Sequence, residues 1–227
     1  MGLPAYGVLT LVGTASQQPD PETHFEAWSE YVTTDWFYAS HIGASILGLA
    51  LGTLGVVGLG VALTDGGRPR AALGAVVLHV FGAAVLFALF GVAAFVQPAI
   101  GSAFLDGDDG ARDWYADVFH DPRTLVPAAT GLLLFSAASI LLARALADRP
   151  GIPRWLAWTY GATAPLIGIL GLMIDVLQPI GSTLLIVAGS LIAARLTSPW
   201  TTDAAPPPSA ATGRSSDPAA NGPVAAP

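Results

Sequence analysis

The stretch IGASILGLALGTLGVVGLGVAL, residues 42–63, decides how this chain is read. It runs for 22 residues without a charge. A helix needs about 20 apolar residues to cross the hydrocarbon of a bilayer. Further runs of the same kind follow. Residues 73–96 are interrupted only by His79, and residues 125–147 carry Arg144 near their end. Residues 155–174 form the next run, and 179–196 a shorter one with Asp175 and Gln178 in the tight turn before it. The apolar stretch 1–14 would be about 21 Å long as a helix. It lacks the basic start of a secretory signal and reads as a partial span or an interfacial segment. The expected fold is all-α: a polytopic transmembrane helical bundle of five spans, or six if the N-terminal stretch crosses.

Composition agrees. The chain of 227 residues is 53% hydrophobic and only 11% charged, where a soluble domain carries about 25% charged residues. Charge is scarce because an ionised side chain in lipid is costly. With no cysteine, disulfides, thiolate catalysis and Cys-ligated metal or iron–sulfur sites are excluded. All nine basic residues are arginine, so no Schiff-base or P-loop lysine exists. A net charge of −7 argues against nucleic acid as a partner.

Charge placement sets orientation. Arg68 and Arg70 lie in the first tight loop between runs, Arg144, Arg149 and Arg154 flank the second, and Arg195 and Arg214 follow the last run. Five spans place all of these on one side. The other side holds Asp20, Glu22, Glu26, Glu30 and Asp35, then Asp106, Asp108, Asp109, Asp113, Asp117 and Asp121, with only Arg112 and Arg123. The positive-inside rule assigns the arginine side to the cytoplasm. The expected location is the cytoplasmic membrane, with the C-terminus inside and the lipid bilayer as principal partner.

The organisation expected is therefore an N-terminal apolar segment and external amphipathic helix over 1–40, a transmembrane bundle over 41–197 with an external acidic loop at 102–124, and a tail over 198–227. The tail is rich in Pro, Ala, Ser and Gly; it lacks the large apolar residues a core needs and reads as disordered. In the first external segment, Asp20-Pro21-Glu22 reads as a helix start. Phe25, Trp28, Val32 and Trp36 then share one face while Glu22, Glu26 and Glu30 share another, which is amphipathic. In the acidic loop Trp114, Tyr115, Val118 and Phe119 oppose Asp113 and Asp117. Both segments suit the outer interface, with aromatic rings anchoring span ends.

Residues 41–70 align on 125–154 at a shift of 84 positions, superposing Gly67, Pro69 and Arg70 on Gly151, Pro153 and Arg154. The phrases VQPAIGS (96–102) and LQPIGS (177–182) fall into register after a three-residue deletion. Two helical hairpins related by tandem duplication would explain both, with a pseudo-twofold along the membrane normal.

Motifs with chemistry are few. Gly48 and Gly52, extended by Ala44, and the pair Ala164 and Gly168 have the small-residue spacing that lets helices approach closely. It suits packing inside the bundle and, as a lesser alternative, association into a homo-oligomer. Asp106-Gly107-Asp108-Asp109-Gly110 departs from a calcium loop: Gly110 and Ala111 stand where an Asp or Asn and then a Gly are needed, and Asp117 stands where Glu is normal. It reads as a solvated acidic turn, and no metal site is expected. His24 and His120 are external. His41 sits at the outer mouth of the first run, and His79 lies within the second, about 12 Å from its cytoplasmic end. That mismatch in depth disfavours a bis-histidine haem, and no cofactor is expected. His79 reads as the intramembrane polar residue that hydrogen-bonds a neighbouring helix. His41, Gln97, Asp175 and Gln178 fall near the outer surface and form a candidate outer polar cluster, with Pro98, Pro165 and Pro179 loosening the backbone nearby. The competing reading is ordinary helix-end residues at the headgroups.

No Asp, Glu or Arg falls at mid-membrane, which counts against an ion-coupled carrier or voltage sensor. There is no HExxH, no paired intramembrane Asp and no Ser–His arrangement at one depth, so no enzyme is expected. The leading expectation is a non-enzymatic interaction or sensing component that works through its acidic, aromatic outer segments. The alternative is a small-solute channel or permease acting as a homo-oligomer, which requires His79, Thr53 and Ser136 to face one wetted cavity.

The segments Phe25-Glu26-Ala27-Trp28, Asp35 through His41 and Gly91 through Gly101 resemble a group of multi-pass membrane proteins of GC-rich bacteria with no assigned activity. The likeness runs over most of residues 20–196. Members of that group begin with a fuller first span than residues 1–14. The resemblance implies the architecture and no residue role.

Overall fold

The computed structural model describes residues 2–15, 18–64 and 68–197; the tail expected to be disordered, 198–227, lies outside the described residues. The described chain is helical with no strand. Helix α1 is Gly2–Gly13 and α2 is Phe25–Val32. Helix α3, Asp35–Ala39, runs through a π-helical segment, Ser40–Leu47, into α4, Gly48–Ala62. Then come α5, Pro69–Leu105, α6, Ala111–Phe119, and α7, Pro122–Ala147. Helix α8, Arg154–Pro165, continues as a π-helical segment, Leu166–Leu170, before α9, Leu177–Thr197.

Four helices are long and apolar enough to cross a membrane: Asp35–Ala62, Pro69–Leu105, Pro122–Ala147 and Leu177–Thr197. The expected run 155–174 is shorter than it looked. Its regular part is residues 154–170, about 25 Å at 1.5 Å per residue, and 171–176 form a turn.

Local chemistry sets the boundaries. Asp121 is the N-cap of α7, its Oδ1 accepting from the Arg123 amide at 2.6 Å, with Pro122 at the first helical position; proline has no amide to waste there. Helix α5 stops at Gly107, where φ is +94°, and the Asp108 amide reaches back to the Ala103 carbonyl. This is the left-handed stop that glycine adopts without strain. Between α7 and α8, Pro150 and Gly151 (φ +84°) occupy the two central positions of a turn closed by the Ile152 amide on the Arg149 carbonyl, the geometry of a type II turn.

Six helices close a ring in the order α4, α5, α7, α8, α9, α1 and back to α4. Glycine contacts show that each neighbouring pair is antiparallel. Gly60 meets Val76 and Ala72, Gly82 meets Gly131 and Phe135, and Gly161 meets Ala143 and Ser139. Gly181 meets Leu166 and Ile167, and Gly7 meets Ser182 and Ile186. The α4–α5 and α7–α8 hairpins therefore run in the same sense, as a tandem repeat requires. The Gly48–Gly52 face serves packing inside the ring: a Cβ on Gly52 would stand 2.8 Å from the Tyr6 ring. Helix α1 is a half-length member. Gly2 abuts Leu51 and Gly55, midway along α4, and Gly13 abuts Ala44.

The arginine loops gather at one end of the ring. Arg68 pairs with Asp148, Arg149 Nη1 donates to the Ala62 carbonyl at 2.6 Å, and Arg195 Nη1 donates to the Gly151 carbonyl at 2.9 Å. Arg149 thereby satisfies one of the carbonyls that the end of α4 leaves unpaired.

At the other end α5 overshoots. Its 37 residues span about 56 Å, against a hydrocarbon thickness of about 30 Å. The surplus carries α2 and α6, which build a second apolar core around Phe25, Trp28, Val32, Phe37, Ile100 and Ala111. Here the structure departs from the interfacial reading. Trp28 and Phe25 are buried against α5, while Trp114 stays half exposed. The seat is glycine-dependent: a Cβ on Gly101 would stand 2.6 Å from Val32 and 3.0 Å from the Ser29 carbonyl oxygen.

Candidate functional site

The cap at the α5 overshoot is an aromatic cluster with an acidic exterior. Phe25 contacts Trp28 at 4.9 Å between centroids and Phe104 edge-on at 5.0 Å. Tyr115 meets the Trp28 ring at 5.0 Å and stacks on Phe119 at 4.9 Å. Such offset and edge-on geometries are favourable because ring edges are positive and faces negative. Arg112 closes the cluster from outside, its guanidinium carbon 4.7 Å from the Phe25 centroid and 5.1 Å from that of Phe104, a cation–π contact. His120 Nε2 lies 3.1 Å from Glu22 Oε1 and ties the end of α6 to the segment before α2. The Trp28 indole nitrogen is buried with no hydrogen-bond partner among the described residues.

Around this cluster Asp20, Glu22, Glu26, Glu30, Asp106, Asp108, Asp109, Asp113 and Asp117 are exposed. Both arginines at this end are engaged, Arg112 on the rings and Arg123 on Asp121. Burial, then the charges of Glu22 and Asp20, push the Tyr115 phenol above its ordinary value. Hydrogen bonds from Arg123 hold the Asp121 carboxyl below the usual carboxylate range.

A polar knot lies at the ring's centre. Thr53 donates to the Leu49 carbonyl at 2.8 Å, so its oxygen is left to accept from His79 Nε2 at 3.3 Å. That assignment puts the imidazole proton on Nε2. The His79 ring also lies 4.5 Å from Phe135. Pro165 supplies no amide to the Gly161 carbonyl, and Ser139 of α7 reaches it at 3.2 Å. Tyr6, His79, Ser139, Tyr160 and Thr163 line a cavity of about 20 Å³ at the junction of the helices, room for about one water molecule. Thr53 and Ser136 are not among its lining residues.

Three of the four residues of the expected outer polar cluster have separate partners, and the Asp175 carboxylate has none among the described residues. His41 Nδ1 faces the Phe37 carbonyl at 3.0 Å, and its ring stacks on Phe37 at 3.9 Å. Gln97 is buried and accepts from Gln18 Nε2 at 3.2 Å. Gln178 Nε2 donates to the Gly171 carbonyl at 3.2 Å. Asp175 is exposed, and its carboxylate has no hydrogen bond or ion pair among the described residues. The two Gln-Pro phrases also differ in structure. Gln97-Pro98 lies inside α5, whereas Gln178-Pro179 opens α9. The polar groups that sequence reasoning passed over are Tyr6, Ser139, Tyr160 and Thr163. Tyr and Ser within apolar runs were the available signal, but only the ring closure brings them to one point.

No family model, curated protein or solved structure matches the chain.

Proposed function

We propose that the protein is a multi-pass component of the cytoplasmic membrane, with its arginine end in the cytoplasm, that interacts or senses through the acidic aromatic cap and catalyses no reaction. The observation that carries this reading is the cap itself. A second apolar core, built on a helix longer than the hydrocarbon layer by roughly 25 Å, carries a densely acidic surface at one end of the bundle. A helix that only had to cross would not need it. Membership in the multi-pass group of GC-rich bacteria is part of the same proposal and rests on the segments at 25–28, 35–41 and 91–101. Five crossings, with residues 154–170 as the short fourth, are likewise proposed from the alternation of charge between the two ends.

The channel alternative needs a wetted lumen. A cavity for about one water, with Thr53 engaged by His79 and Leu49, gives it no support. Self-association remains open to the faces around Gly58, Gly74 and Gly91, where a Cβ would meet nothing within 4 Å.

A photo-crosslinking residue at Glu26 or Trp114 in intact cells tests the proposal. A discrete adduct that disappears when Glu30 and Asp117 are reversed to lysine supports a charge-dependent partner at the cap. Adducts that form equally well with the reversed cap would overturn it, as would no adduct at either position in correctly inserted protein.

A further inference from the structure

The turn between α8 and α9 exposes more apolar surface than any aqueous loop should. Leu172 is 68% exposed, Met173 79%, Ile174 53% and Val176 58%. In water such a patch is a liability. In hydrocarbon an irregular backbone is tolerated only when its polar groups are satisfied from within the protein, and here most of them are. The Gly171 amide donates to Gly168, Leu172 to Gly168, and Met173 and Ile174 both to Leu170. The Leu177 amide donates to Ile174 and that of Gln178 to Asp175. The Gln178 side chain then caps the Gly171 carbonyl.

From these observations, and on the membrane reading above, we infer that residues 170–176 are a lipid-inserted turn whose side chains contact the acyl chains of the cap-side leaflet. Length makes the same demand. Trp155 and Trp158 are exposed at the arginine end of α8, the position of an interfacial aromatic belt. From Trp155 to Leu170 the helix covers about 22 Å, short of a hydrocarbon layer of about 30 Å. The apolar turn supplies the missing thickness. It is also continuous with the outward face of α9, where Ile180, Val187 and Leu191 are exposed. Asp175 limits the depth, since a carboxylate is costly away from the boundary. The turn therefore sits where its four apolar side chains point into lipid while Asp175 reaches the headgroups.

Nitroxide labels test this directly, because the chain has no cysteine and each introduced one is unique. Met173→Cys and Ile174→Cys are labelled in the full chain in phosphatidylcholine–phosphatidylglycerol vesicles, with Leu54→Cys as lipid reference and Gly107→Cys as aqueous reference. Collision with oxygen, which partitions into lipid, is compared with collision with a water-soluble nickel chelate. The expected oxygen-to-nickel ratio at 173 and 174 is close to that at Leu54 and several-fold above that at Gly107. A ratio like that of Gly107 places the turn in water and overturns the inference. Low collision with both reagents means protein covers it and does the same. An aqueous ratio at Leu54 sinks the membrane reading as well, so the two failures are distinguishable. Removing the carbonyl cap with Gln178→Leu should lower the ratio at Met173; an unchanged ratio would show that internal satisfaction of the backbone is not what admits the turn to lipid.

Discussion

Replacing Gly52 by alanine should dislodge α1, while the same change at Gly58 should not. Both glycines lie in α4, so the helix-propensity gain is shared, roughly 0.5–1 kcal/mol in favour of alanine. Their surroundings differ. A Cβ on Gly52 would stand 2.8 Å, 2.9 Å and 3.3 Å from Cδ1, Cγ and Cβ of Tyr6, and one on Gly58 would meet nothing within 4 Å. The obstructing atoms are the root of the Tyr6 side chain, which cannot swing away without moving α1. Tyr6 is also held against Phe135, edge to face at 6.4 Å. Forcing one methyl into a packed contact costs about 1–3 kcal/mol. Gly52→Ala should therefore lie about 1–3 kcal/mol below Gly58→Ala in stability, a factor of roughly 5 to 150 in the unfolding equilibrium. Reversible denaturant titration in detergent, followed by tryptophan fluorescence, measures the difference. Equal midpoints for the two variants would refute the account of how α1 seats, because the expected difference comes from the Tyr6 contact at Gly52.

Three further outcomes are expected. Trp28→Ala should destabilise the cap by about 3–5 kcal/mol, as for other buried large-to-small changes, and Trp28→Phe by much less because the indole nitrogen has no hydrogen bond to lose; limited proteolysis after Leu105 compares the two. The Tyr115 titration, isolated as the absorbance difference from Tyr115→Phe, should lie above that of a free phenol and fall part of the way with Glu22→Gln, burial being the larger cause. Its raised value means the stabilisation is present below the unfolded phenol's pKa of about 10 and is lost as pH rises through the folded value. Arg149→Ala should cost about 1–3 kcal/mol by leaving the Ala62 carbonyl unpaired, whereas Asp148→Ala, which breaks a partly exposed pair with Arg68, should cost at most about 1 kcal/mol; the same unfolding titration ranks them.

Local features of the chain were legible because they depend on near neighbours. The charge-free run at 42–63 became part of the helix Asp35–Ala62. The amphipathic pattern from Phe25 made α2, although the start read at Asp20-Pro21-Glu22 is a turn and the helix begins at Phe25, because the Asp20 carboxylate and carbonyl take the Glu22 and His24 amides into that turn. Arg68, Arg149 and Arg195, far apart in sequence, came together at one end. Composition and periodicity carry such facts, since an apolar stripe and the cost of a charge in lipid are set within a few residues. What the folded chain alone decided is which faces meet. Pro98 and Pro179 sit in nearly identical phrases, yet one lies deep in α5 and the other at the third position of α9. Early in a helix proline sacrifices no hydrogen bond. Within α5, Pro98 has no amide to give the Ala94 carbonyl. Trp28 faces a protein core and Trp114 does not, although both lie on apolar stripes. The central knot of Tyr6, His79, Ser139, Tyr160 and Thr163 draws on four helices far apart in sequence. Ring closure brings them together, and closure depends on small residues that let α1 approach its neighbours, Gly2 against Gly55 of α4 and Gly7 against Ser182 of α9. Contact between distant faces is a property of the whole packing, so no window of sequence contains it.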